Sequence, residues 1–132
     1  MSFFSPEKID DLIPVLTPLL EGLWRARRDL AITLLEEDPA LRVRSGPRGS
    51  TTEHRAAARR IVNLRAEVIR MIGRIEAYGC VVKDLDLGLL DFPALRDGRP
   101  VFLCWKAGES SVEHWHGTGE TFAERKPLGR RA

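Results

Sequence analysis

Apolar residues recur at helical spacing along two long stretches of this chain, and after Gly79 the pattern changes to short runs of extended period. In the first stretch Ile9, Leu12, Ile13, Leu16, Leu19, Leu20, Leu23, Leu30 and Leu34 form one stripe, which predicts a helix over residues 5–37. Its start is well marked. Ser5 is a good N-cap, Pro6 suits the first helical position, Glu7 lies at the positive end of the helix dipole, and Phe4 and Ile9 occupy the two positions of a hydrophobic staple. Pro14 and Pro18 each remove an intrahelical hydrogen bond, but the stripe keeps its phase across both, so a bend is expected and not a break. A second stripe, Ala57, Ile61, Leu64, Val68, Met71, Ile72 and Ile75, predicts a helix over 51–79. A Ser50–Glu53 capping box opens it and a left-handed Gly79 closes it. Residues 38–50, with Pro39, Gly46, Pro47 and Gly49 among Arg and Ser, read as a loop.

Beyond Gly79, the runs Cys80–Lys83, Leu89–Phe92, Val101–Lys106 and Ser111–His116 have the length and period of strands. Asp86-Leu87-Gly88, Asp97-Gly98 and Ala107-Gly108-Glu109 supply the turns between them. Both alternating faces of Val101–Lys106 begin apolar, so that strand is expected at the centre of the sheet. The fold class that results is α+β, in one domain. A long antiparallel helical hairpin is followed by a small C-terminal antiparallel β-meander over 80–116 and a tail over 117–132. A two-helix hairpin covers only part of its own apolar surface, so a homodimer through the long helices, in coiled-coil fashion, is expected.

Composition narrows the setting. The chain of 132 residues, 30% charged and 43% hydrophobic, is that of a globular protein, and no apolar run approaches the roughly 20 residues of a membrane span. No basic segment followed by an apolar stretch opens the chain, and its only cysteines are Cys80 and Cys104, so a cytoplasmic location with reduced thiols is the expectation. Arg42, Arg44, Arg48, Arg55, Arg59 and Arg60 are opposed only by Glu53 in their stretch, which offers nucleic acid a basic patch. That stretch has no base-stacking aromatics, which favours a solvated surface instead.

The segment KDLDLGLLDFPALRDGRPVFLCWKAGE, the later WH and RKPL, and the early DLIPVLTPLLEGL together resemble the bacterial and archaeal family known as domain of unknown function 2203. The matching positions are Lys83, Asp84, Gly88, Asp91, Phe92, Pro93, Gly98, Arg99, Cys104, Trp105, Lys106, Gly108, Glu109, Trp115, His116, Arg125, Pro127 and Leu128. The stretch GTGETFAE between His116 and Arg125 departs from the pattern. The resemblance implies no activity.

Of these positions the glycines and Pro93 are explained by turns, while Phe92, Cys104 and one Trp suit a core. Asp91, Arg99, Lys106, Glu109, His116 and Arg125 are too many charges for one small sheet to need. With Trp105 and Trp115 they form the candidate ligand-binding set, able to hold a small anion or a protein partner. The alternative is a small metal-dependent enzyme or metal-binding protein. His114 and His116 are two apart in a strand and point to one face, where Glu109 or Asp91 would complete a set for a divalent metal. A Cys104 nucleophile activated by His116 is a further option, opposed by the apolar neighbours Phe102, Leu103 and Trp105. Motifs for nucleotide binding, for zinc proteases and for serine hydrolases are absent.

Overall fold

The computed structural model describes residues 2–37 and 51–130. The Ser50 cap and the cations of Arg42, Arg44 and Arg48 lie outside the described residues. Two helices, α1 (Pro6–Glu36) and α2 (Thr51–Glu76), precede five strands, β1 (Val81–Asp84), β2 (Leu89–Arg96), β3 (Arg99–Lys106), β4 (His114–Gly117) and β5 (Lys126–Pro127). The strands form one antiparallel sheet in sequence order, a meander with β3 at its centre. The α+β architecture is therefore the expected one, with a fifth strand in the segment read as tail. No helix among the described residues is long and apolar enough to cross a membrane.

Two compact units divide the chain, one of residues 21–72 and the other of the residues up to Leu20 with those from Gly73 onward. In the first, the two helix segments run antiparallel. Met71 lies against Gly22, where an added Cβ would meet its methyl carbon at 2.9 Å, and at the other end the Arg60 Nε–H donates to Thr33 Oγ1 at 3.3 Å. α1 is continuous through Pro14 and Pro18.

The second unit holds the sheet. Ser5 caps α1 by accepting from the Lys8 N–H at 3.2 Å, as its residue type predicts. Ile9, Leu16, Leu20, Ile75, Leu90, Phe92, Ala94, Leu103, Trp105 and Val112 are buried and make up the unit's core. Phe4 meets Phe92 edge to face, ring centroids 5.2 Å apart, and its N–H donates to the Pro93 carbonyl at 2.8 Å. Pro93 is tolerated inside β2 because β1 pairs no further than Asp91, so the missing N–H interrupts no ladder on that side. The Asp97-Gly98 turn carries positive φ at both residues, 52° and 77°, the mirror-image turn that matches strand twist. It fixes the register that places Arg96 opposite Arg99 and, counting outward, Asp91 opposite Cys104.

Asp10 ties α1 to the C-terminal segment. Its carboxylate accepts from the Val112 N–H at 2.8 Å and pairs with Arg130 at 2.7 Å, and Arg130 also donates to the Val112 carbonyl. Burial works against the Asp10 charge, but the hydrogen bonds from Arg130 and Val112 outweigh it and hold the carboxyl below its ordinary 3.8. A carboxyl lowered by folding stabilises the fold above its ordinary value, and the contribution is lost as pH falls through the lower folded value. Asp10→Asn is therefore expected to lower the Tm at neutral pH, and the gap from wild type should narrow in melts recorded as the pH is taken through and below 3.8.

Candidate functional site

Strand pairing sorts the candidate residues onto two faces, because directly opposed residues share a face and neighbours along a strand alternate. One face carries Asp91, Cys104 and His114 as a cross-strand row, with His116 and Phe102 as the next opposed pair. The opposite face carries Leu90, Phe92, Leu103, Trp105 and Trp115. Trp105 is buried there, its indole N–H donating to the Glu109 carbonyl at 2.9 Å. Trp115 lies between the Arg96 guanidinium, 4.8 Å from its ring, and the Lys126 ammonium at 4.7 Å. Both Trp thus stand apart from the polar row. Arg99 is exposed at the hairpin end of β3.

On the polar face, Asp91 and His116 are almost wholly buried, 1% and 3% exposed, with His116 Nε2 2.9 Å from Asp91 Oδ2. The other ring nitrogen, Nδ1, lies 2.8 Å from the Gly117 carbonyl, which can only accept. Nδ1 therefore bears a hydrogen. Gly117 is itself fixed by its N–H, which donates to Glu120 Oε1 at 2.7 Å. Hydrogen bonds from Lys126 and Gly117 hold the Glu120 carboxyl below its ordinary range. The third member is Cys104, 1% exposed, whose sulfur lies with His116 and Asp91 in a group of ligand atoms all within 4.8 Å of one another. Burial, and after it the Asp91 charge, pushes the Cys104 thiol up to about 11. A neutral, buried thiol beside a ring with both nitrogens engaged is not an activated nucleophile.

The segment after β4 turns back across this face. A cavity of ≈ 270 Å³ lies there, lined by Lys83, Asp84, Leu89, Asp91, Cys104, His116, Glu120, Thr121 and Phe122. Beside it, the Glu109 carboxylate accepts from the Lys106 backbone N–H at 2.7 Å and from Arg125 at 3.1 and 3.4 Å. His114 Nδ1 is buried without a hydrogen-bond partner, 3.9 Å from Glu109 Oε2.

The set His114, His116 and Glu109 does not close into a metal cluster. Register places His114 opposite Cys104 and beside Glu109, while the His116 ring turns to Asp91 on the second strand over. Among the described residues, the group that comes together is Asp91, Cys104 and His116. The pattern of apolar neighbours along β3 by itself assigns Cys104 to the core. The signal for it lay in the Asp97-Gly98 turn, since a two-residue hairpin fixes Cys104 opposite Asp91.

Fold and site together define a helical hairpin joined to a five-stranded meander with a buried Asp, Cys and His on one face. Over residues 2–128 the chain matches the family described as Uncharacterized conserved protein (DUF2203), and it belongs to that family. No curated protein and no solved structure matches it.

Proposed function

We propose that the protein is a homodimeric binding module, in which the helical hairpin supplies the dimer contact and the polar face of the meander supplies a pocket for a small ligand. The observation that carries this reading is the burial of Asp91, Cys104 and His116 at the ≈ 270 Å³ cavity. Burying an ionisable pair costs several kcal/mol of desolvation per charge, and apolar residues would fill the same space without that cost. The charge of the lining favours a small cation. Asp84, Asp91 and Glu120 bring carboxylates to the cavity, Glu120 already paired with Lys126, and Lys83 is the lysine in the lining. Of the cations expected to hold an anion, Arg125 is engaged by Glu109 and Arg99 lies at the hairpin end, while Lys106, opposite Leu89, shares the face of Asp91 and Cys104.

A direct test titrates isotope-labelled protein with inorganic phosphate, acetate and methylammonium while amide NMR shifts are followed. The reading expects movement at Leu89, Asp91, Gly117 and Thr121 with the cation. Movement with the anions alone, or with none of the probes, would count against it.

Support for the dimer comes from the helical unit. Val62 and Ile69 are 63% and 70% exposed, and with Ala66 they form a row at spacings of four and three on one side of α2. Ile32 and Leu35 form a second exposed row on α1. A second copy would cover both rows in a four-helix arrangement. The double variant Val62→Glu, Ile69→Glu is expected to convert a dimer to a folded monomer in size-exclusion chromatography with light scattering. A wild type that is monomeric at micromolar concentration would remove the dimer from the account.

A further inference from the structure

We propose that Asp91, Cys104 and His116 bind one divalent transition-metal ion of the zinc class, through an Asp91 carboxylate oxygen, Cys104 Sγ and His116 Nε2, with a fourth position facing the cavity. This rests on the pocket reading above and names the ligand at its floor.

The hydrogen bonding of His116 is the first argument. With Nδ1–H committed to the Gly117 carbonyl, Nε2 faces a carboxylate oxygen only 2.9 Å away, a contact held by a shared proton in the metal-free protein. Two acceptors at that distance repel unless a proton or a metal ion lies between them. A histidine that donates Nδ1–H to a backbone carbonyl and aims Nε2 inward is also the arrangement by which proteins fix a metal-ligating ring. Gly117 is anchored in turn by Glu120, so the orientation is held by two successive hydrogen bonds.

Distances supply the second argument. Ligand atoms around tetrahedral zinc, with bonds of about 2.0–2.3 Å, stand roughly 3.3–3.8 Å apart. The three atoms here lie within 4.8 Å of one another, with Asp91 Oδ2 and His116 Nε2 2.9 Å apart, so on metal binding the Asp91–His116 contact opens by several tenths of an ångström and the sulfur closes in. The three residues sit on three adjacent strands of one sheet, a rigid frame for such a set.

Donor chemistry selects the ion. One thiolate, one imidazole and one carboxylate suit zinc, cobalt or ferrous iron, and the thiolate disfavours magnesium and calcium. On binding, the metal displaces the Cys104 thiol proton and the proton shared between His116 and Asp91, and both go to solvent. Three protein ligands leave one position open, and Thr121 and Phe122 are among the residues that line the cavity.

The test uses full-length protein without a histidine tag, dialysed against chelator and titrated with Co²⁺. One equivalent is expected to produce a thiolate-to-cobalt charge-transfer band together with the visible bands of tetrahedral cobalt, and Zn²⁺ should bleach both. Cys104→Ser, nearly the same size, is expected to abolish the charge-transfer band and weaken Zn²⁺ binding more than about a hundredfold, beyond the loss usual for an outer-shell partner. Cys80→Ser and His114→Ala should leave the spectrum unchanged. Should Cys104→Ser unfold, Asp91→Asn serves, expected to keep the sulfur band at weakened affinity. No cobalt band in wild type, or a band that survives Cys104→Ser, overturns the proposal. In that event amide shifts with methylammonium would leave the pocket reading standing, and their absence would remove both.

Discussion

Asp91→Ala is expected to destabilise metal-free protein by about 3–5 kcal/mol, because it leaves the buried His116 ring facing a cavity with no carboxylate partner. For a chain of this length that loss lowers the Tm by roughly 10 °C or more. The pair is more than nine-tenths buried, so solvent screening does not reduce the effect as it does for surface ion pairs. His116→Ala should cost a similar amount, and the double variant much less than the sum, since the second change removes a group whose partner is already gone. Chemical denaturation of the four proteins in chelator measures this cycle. A cost under about 1 kcal/mol for Asp91→Ala, the range of a solvated pair, would contradict the burial on which the site rests.

The second large effect falls on the other face. Trp105→Ala should cost about 3–5 kcal/mol, the usual loss for a buried large aromatic. The indole is 1% exposed, packed on the core side of β3, and its N–H holds the turn through the Glu109 carbonyl. Its position also separates structure from function: the variant should lose stability while the cobalt spectrum of the folded fraction stays unchanged. Trp105→Phe should lose less, about 1–2 kcal/mol for the hydrogen bond and part of the ring. A Trp105→Phe protein of wild-type stability but altered cobalt spectrum would place Trp105 in the ligand site instead.

The two faces explain why the sequence was legible in parts. Helix starts and turns carry local chemistry, so Ser5 at the head of α1 and the left-handed Gly79, Gly88, Gly98 and Gly108 stand where the residue types suggest. The end of α2 lies at Glu76 and not at Gly79, because the Tyr78 and Gly79 N–H groups close onto Ile75 and Glu76 in a tightened last turn. β5 is illegible in the sequence because two residues, one of them Pro127, have no period, and only their pairing with Trp115 and His114 makes them a strand. Ser111–Glu113 read as strand, yet that stretch is used to bring Val112 to Asp10.

For the candidate site, residue type alone drew together everything charged or aromatic near the WKAGE turn. Alternation along β3 and β4 then divides the set, sending Trp105 and Trp115 to one face and Cys104 and His116 to the other. Cys104 was hard to see because Phe102 on the same face is apolar, so neither face of β3 looked polar from its own sequence. Its polar neighbours come from β2 and β4, which local pattern does not reveal.

X-ray absorption at the zinc edge, on protein reconstituted with one equivalent of Zn²⁺, tests the site most directly. One sulfur at about 2.3 Å with nitrogen and oxygen neighbours at about 2.0–2.2 Å is the expected shell, and the sulfur should vanish in Cys104→Ser. A shell of nitrogen and oxygen alone in the wild-type protein would contradict it.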